Sequence, residues 1–328
     1  MKKSHRYSLR LTRAIAEIDQ DNVHGAGYLA LKCLDLLADA AVEHTKNRKT
    51  EDSLEDFLKT LAGRLAAGQS AMCVIENLLA GVLEKLYSES GGPKHAPSKS
   101  AALLKKIAID ERKRLDLELE TIGKKGAIFI RKKYPPGSRI VTISHSRAVL
   151  GVLRRLAGHG VKISVAESRP LNEGVEMARQ LAKSDLEVRL VPDCLLGLET
   201  TEADIALIGA DSITPGGNVV NKAGSRLLAL ASKADGVPVY CCAETIKVMA
   251  TEPGAGTRFP IQKLRPNSEI SDQLPEQVEV LNLYFDLTES ELIEGYLTEQ
   301  GVLGREQLGT VSKKLAEIIE KNLRRETK

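Results

Sequence analysis

Short β-rich apolar runs recur along the second half of this sequence, at 139–143, 162–166, 187–191, 204–208, 238–242 and 279–285, with helix-period segments between them. The clearest of those segments carries Ala148, Val149, Val152, Leu153 and Leu156 on one helical face. Strand and helix alternating at this interval predict an α/β fold, a parallel sheet doubly wound by crossover helices. The run at 204–208 is apolar on both faces of a strand, bounded by charge and then by Gly209, and is expected in the interior of that sheet. Ligands of such sheets lie beyond the carboxyl ends of the strands, so the residues that follow each run are the candidates for function.

Those residues are polar. Strand 204–208 runs into Gly209-Ala210-Asp211, then a Pro-Gly-Gly turn and the stretch Asn218–Ser225, which leads into a helix with Leu227, Leu228, Leu230 and Ala231. A helix N-terminus with Lys222 beside it is a natural phosphate seat, and Asp211 supplies a carboxylate nearby. Strand 139–143 ends in Ser144-His145-Ser146-Arg147, and strand 162–166 in Glu167-Ser168-Arg169-Pro170. Arginine is suited to bidentate contact with phosphate or carboxylate. Asp193, after strand 187–191, is available as a fourth polar group. Pattern alone is equally consistent with caps, turn residues and a solvated lysine.

The first part of the chain has a different rhythm. Leu54, Phe57, Leu58, Leu61 and Leu65 form a one-face stripe, as do Leu29, Cys33, Leu36, Leu37, Ala40 and Ala41, so residues 8–87 are expected to be helical. A Gly/Ser/Pro-rich loop is expected at 88–100, then a charged helix over about 101–121, with Gly123 to Gly126 marking the approach to a boundary. Two domains follow: a helical one, 1–122, and an α/β one, 123–328, ending in a helix over about 308–324 that carries Val311, Leu315, Ile318 and Ile319.

Composition removes several function classes. The net charge of +3 comes from 47 basic and 44 acidic residues without clustering, and aromatic content is only 3% with no Trp, so there is no direct nucleic-acid signal. No apolar run is long enough for a membrane span, and the basic N-terminus MKKSHRYSLR lacks the apolar stretch of a signal peptide. Five cysteines without metal or redox spacing suit free thiols in a reducing, cytoplasmic setting, with vicinal Cys241 and Cys242 on opposite faces of a core strand. The six histidines are scattered, and no metal site or cofactor is expected. The match of Gly25-Ala26-Gly27-Tyr28-Leu29-Ala30 to a dinucleotide fingerprint has no strand before it, and neither a Walker A sequence nor a G-x-S-x-G elbow is present.

The segments SHSRAVLGVL, ESRPLNEG, GADSITPGGNVVNKAGS, PVYCCAETIK and YFDLTESELIEGYLTEQGVL occur together in this order. In them the chain resembles the translation initiation factor 2B alpha/beta/delta family, which includes methylthioribose-1-phosphate isomerase and ribose-1,5-bisphosphate isomerase. The match is strong over 138–300 and weaker before it. The resemblance implies an N-terminal helical domain, a Rossmann-like sheet, and homodimers formed through the C-terminal domain. In the isomerases a Cys and an Asp handle the transferred proton or hydride. The Asp is kept as Asp211, but the Cys position falls on Ser144 and the Asn beside it on His145. Of the substrate-contacting residues, Asn221, Lys222 and Arg169 are kept, and a Gln becomes Glu173. The arginine of an R-G-A motif is His24, followed by Gly25, and a second phosphate arginine aligns loosely with Gln69. Two functions are therefore open. One is a phosphorylated-sugar protein that acts as an aldose–ketose isomerase through Asp211 and Ser144, with His145 as a base. The other is a non-catalytic sensor or nucleotide-exchange subunit working with translation-factor partner subunits.

Overall fold

The computed structural model describes residues 7–21, 24–46, 53–90, 97–253, 264–275 and 277–323. The chain forms two compact units, Met1–Asp116 with Ser312–Lys328, and Leu117–Val311. Both changes of unit fall inside helices, so the boundary expected at 122 lies within a continuous helix.

The first unit is helical: α1 (Leu9–Gln20), α2 (Ala26–Lys46), α3 (Leu54–Gly68), α4 (Cys73–Glu89) and the first part of α5 (Pro97–Lys133). Ser8 and Ser53 cap α1 and α3, their hydroxyls accepting the Leu11 and Asp56 N–H groups. The expected stripes face inward: Leu29, Cys33, Leu37 and Ala41 on α2 and Phe57, Leu58, Leu61 and Leu65 on α3 are buried, joined by Leu78, Leu79 and Leu83 of α4. Burial pushes the Cys33 thiol up to about 12, as suits a residue used for packing.

Helix α5 extends well past the expected stop at 121. Gly123 and Gly126 lie within it, and they are contact points rather than breakers. A Cβ at Gly123 would lie 2.8 Å from the Gly151 carbonyl oxygen, and one at Gly126 would lie 2.6 Å from Val152 Cγ2. The glycines let α5 approach the backbone of α6 (Arg147–Arg154), and the packing gained outweighs their poor helix propensity, about 1 kcal/mol each.

The second unit is built on a seven-stranded sheet. In chain order its elements are β1 (Arg139–Ile143), α6, β2 (Lys162–Ala166), α7 (Glu173–Ala182), β3 (Glu187–Val191), α8 (Leu196–Thr200), β4 (Ile205–Ile208), β5 (Ser212–Ile213), β6 (Val219–Lys222), α9 (Ser225–Ala234), β7 (Val239–Cys242), β8 (Phe285–Thr288), β9 (Gly295–Thr298), β10 (Gly301–Leu303) and the start of α10 (Arg305–Asn322), whose remainder belongs to the first unit. The strand order is β10-β9-β7-β4-β1-β2-β3, parallel except for β10. The chain leaves β1 toward β2 and β3, then returns to its other side with β4, so the order reverses between β1 and β4. Strand β4 is buried throughout, as expected of an interior strand. Ile140, Ile163 and Val165 of the sheet bury against Val149, Leu153, Met177 and Leu181 of α6 and α7. Cys241 and Cys242 are fully buried core residues, and desolvation pushes the Cys241 thiol up to about 12.

Two local expectations fail. Asn218–Ser225 is not simply the lead-in to a helix: Val219–Lys222 is a strand, β6, which pairs antiparallel with β5 and β8 in a separate three-stranded sheet. The run at 279–285 contributes only Phe285 to a strand, and that strand is β8 in the small sheet. The place it was expected to fill in the parallel sheet is taken by β9, GYLT, whose glycine and brevity hide it from a propensity reading.

Candidate functional site

The carboxyl ends of β1, β2 and β4 meet at the reversal of strand order, where a crevice forms in open α/β sheets. At the end of β1, Ser144 takes a left-handed conformation with φ 66°, and its N–H donates to Ser168 Oγ at 2.7 Å. Ser168, also left-handed at φ 68°, is fully buried. Its N–H and that of Arg169 each donate to one oxygen of Asp193, both at 2.7 Å. Asp193 is thus a clamp on the turn after β2, its carboxylate spent on backbone. The Arg169 side chain stays exposed. Left-handed backbone at two non-glycine residues costs of order 1–3 kcal/mol each and is characteristic of binding turns.

A second link joins β1 to β4. A Cβ at Gly209 would lie 2.7 Å from Ser146 Oγ and 3.6 Å from Asn221 Oδ1, so only a glycine lets the end of β4 lie against the N-cap of α6. Asp211 follows at once, and its N–H donates to the Val220 carbonyl at 2.8 Å, which ties it to β6 just before Asn221 and Lys222. Asn221 is 6% exposed and donates from Nδ2 to Ser225 Oγ at 2.8 Å.

A third link closes the group. Lys222 Nζ donates to Glu173 Oε1 at 2.9 Å, and the ring of Tyr284 lies 5.2 Å from the same ammonium. The lysine expected beside a phosphate is therefore already paired with a carboxylate from the first turn of α7. The helix N-terminus expected as the phosphate seat is occupied too. The Gly224 and Arg226 N–H groups at the start of α9 donate to Asp286 Oδ2 at 2.7 and 3.1 Å. Burial is the largest influence on Asp286 and raises its pKa from 3.8 to about 6. Asp286 lies opposite Asn221 in the β6–β8 ladder, so the sequence distance of more than sixty residues hides it.

Sequence reasoning also missed Glu244 and Lys247, after β7. Lys247 Nζ lies 3.2 Å from Glu244 Oε2, and both side chains are nearly inaccessible. Burial opposes the Lys247 charge, but Glu244 and then Asp211 outweigh it and hold the ammonium above its ordinary 10.5. The residues after Lys247 run beside those after Asp211: Val248 bridges Ile213, and the Met249 N–H donates to the Ile213 carbonyl at 2.7 Å. The signal was the Glu and Lys of AETIK at the carboxyl end of a strand. His145 has its Nε2 buried, with no hydrogen-bond partner among the described residues.

The remaining candidates belong to the helical unit, where each has local work. His24 Nδ1 bonds Asp21 Oδ2 at 2.9 Å, and its ring stacks on Tyr28 at 4.0 Å. The Gly25 carbonyl accepts the Tyr28 and Leu29 N–H groups and starts α2. Gln69 is buried, and its amide donates to the Ile18 carbonyl at 2.8 Å, satisfying the last turn of α1. No group of three or more metal-ligating side chains occurs among the described residues. No described helix is long and apolar enough to cross a membrane.

Residues 22–305 match the model of the initiation factor 2 subunit family. A putative translation initiation factor eIF-2B subunit 2-like protein of Pyrococcus horikoshii is 29% identical over 90% of this chain and 96% of its own. The ribose 1,5-bisphosphate isomerase of Thermococcus kodakarensis is 35% identical over 56% of this chain and 58% of its own. The methylthioribose-1-phosphate isomerase of Thermotoga maritima is 33% identical over 57% and 59%. Among solved structures, the Pyrococcus horikoshii translation initiation factor eIF-2B superposes with a TM-score of 0.72 at 28% identity, covering 90% of this chain and 98% of that one.

Proposed function

The chain belongs to the initiation factor 2 subunit family, and we propose that within it this protein binds a phosphorylated sugar, of the pentose phosphate type, at the carboxyl edge of β1, β2 and β4. The observation that carries this reading is the convergence of three strand ends, through Ser144 with Ser168, Ser146 beside Gly209, and Lys222 with Glu173. Such a polar, conformationally fixed strand edge is where α/β sheets hold ligands. Arg169, exposed and with its backbone clamped by Asp193, is the phosphate ligand. Asn221, the Lys222–Glu173 pair and Asp211 meet the hydroxyl-bearing carbons.

Catalysis by the thiol route of the isomerases does not fit Ser144. A serine hydroxyl needs an adjacent base to give up its proton, and the backbone N–H is the only part of Ser144 with a hydrogen-bond partner among the described residues. Binding without turnover, as a sugar-phosphate sensor in the manner of a regulatory subunit, is the reading the geometry favours. Aldose–ketose isomerisation is the second reading, and Asp211 favours it, because it places a carboxylate beyond the end of β4, tied to β6 just before Asn221 and Lys222, where a side-chain acid or base can move a proton between adjacent carbons. Isothermal titration with ribose 5-phosphate tests the binding. Arg169→Ala should weaken affinity by about 1.5–3 kcal/mol, the range for a charge-assisted hydrogen bond. Equal affinity in the variant places the phosphate elsewhere, and no binding by the wild type ends the proposal.

A further inference from the structure

We propose that Glu173 determines which sugar phosphates this site accepts: the Glu173–Lys222 ion pair selects a ligand with a single phosphate and rejects a bisphosphate. The inference rests on the sugar-phosphate reading above and deepens it. Lys222 is the cation built into the inner side of the site, with its side chain 5% exposed, and its ammonium is paired with Glu173 Oε1 at 2.9 Å. The Tyr284 ring lies 5.2 Å from the same ammonium. Glu173 opens α7, with Asn172 as the residue before it.

The backbone that carries Glu173 is held on both sides. Asn172 before it is held left-handed at φ 57°, with its N–H donating to the Ser168 carbonyl at 3.0 Å. Gly174 after it lies so close to the Ala166 carbonyl oxygen that a Cβ there would collide with it, and its own N–H donates to the Glu167 carbonyl at 3.1 Å. The backbone on both sides of the carboxylate is thereby fixed to the end of β2.

The consequence is one of charge. A phosphate reaching Lys222 must displace Glu173 and leave a carboxylate without its counter-ion in a largely desolvated place, which is costly. A sugar hydroxyl meets no such cost, because it donates to the carboxylate and accepts from the ammonium. The phosphate must then lie at Arg169, which is exposed and has no ion-pair partner among the described residues. With Lys222 paired, Arg169 admits one phosphate.

The test is titration of the wild type, Glu173→Gln and the double variant Glu173→Gln/Lys222→Gln with ribose 5-phosphate and with ribose 1,5-bisphosphate. The wild type should bind the monophosphate at least about tenfold more tightly than the bisphosphate. Glu173→Gln, which frees the ammonium at almost constant shape, should move that ratio at least about tenfold toward the bisphosphate, and the double variant should lose the gain. The wild-type ratio needs no variant and so stands if Glu173→Gln fails to fold. A wild type that prefers the bisphosphate, or an unchanged ratio in Glu173→Gln, overturns the inference while leaving the sugar-phosphate reading intact. Absence of binding to either sugar in wild type and variants overturns both.

Discussion

Replacing Asp286 with Asn should change how stability depends on pH, in a direction opposite to that of most carboxylates. Asp286 is half-buried beside the N-terminus of α9, where it accepts two backbone N–H groups, yet desolvation dominates and lifts its pKa from 3.8 to about 6. The neighbouring cation does not offset this, because the Arg226 guanidinium lies 2.8 Å from Glu289 and is largely engaged there. The folded chain therefore holds this proton more tightly than the unfolded chain. Its contribution to stability is fully present below pH 3.8 and is lost as pH rises through about 6. A shift of about two units corresponds to about 3 kcal/mol in total, of which about 1.4 kcal/mol falls between pH 5 and pH 7.5. Asn keeps an acceptor oxygen for Gly224 and Arg226 and cannot ionise. Any fixed cost of burying the amide is the same at both pH values and cancels. Urea unfolding of both proteins at the two pH values should show the stability difference, variant minus wild type, rising by about 1.4 kcal/mol from the lower to the higher pH. A difference constant with pH would mean that the capping N–H groups fully compensate the desolvation, and that Asp286 titrates as an ordinary carboxylate.

Three further outcomes are expected. Ser144→Cys is close to isosteric and leaves the backbone bond to Ser168 in place, so if only the thiol is missing it should raise isomerase turnover on ribose 5-phosphate or ribose 1,5-bisphosphate at least tenfold, about 1.4 kcal/mol of barrier; NMR product assays that find binding but no turnover in either protein leave the sensor reading alone. Gly123→Ala should destabilise by about 1–3 kcal/mol through overpacking against the Gly151 carbonyl, whereas Gly63→Ala in α3, where nothing lies within 4 Å of the added Cβ, should stabilise by about 1 kcal/mol; thermal unfolding that moves both the same way refutes the packing account of α5. Self-association through the second unit is expected as well, since Leu190, Leu195 and Leu198 on and after edge strand β3 are exposed; light scattering that returns the 35.6 kDa of one chain at micromolar concentration counts against it.

What the sequence disclosed follows from the range of the interactions involved. Strands β1, β2 and β3 were legible to the residue because each is a local apolar run between turn signals, and β4 and β7 to within one residue. The helical stripes were legible for the same reason. Helix α5 was not, because glycine reads locally as a breaker, while the close contact with α6 that rewards Gly123 and Gly126 is a tertiary fact. Strand β6 was hidden for a related reason: VVNK becomes a strand by pairing with β8, more than sixty residues on. At the site, residue identity showed which groups stand at the strand ends but not how they are employed. Asp193 was a candidate ligand and is a backbone clamp; Lys222 was a free cation and is half of an ion pair; the start of α9 was an open anion seat and is filled by Asp286. Each of these differences arises when a carboxylate reaches across from another segment and satisfies a charge or an N–H group that the local sequence leaves open. Buried donors and cations must find partners, and at the turn after β2, at Lys222 and at the start of α9 a carboxylate from another segment supplies them.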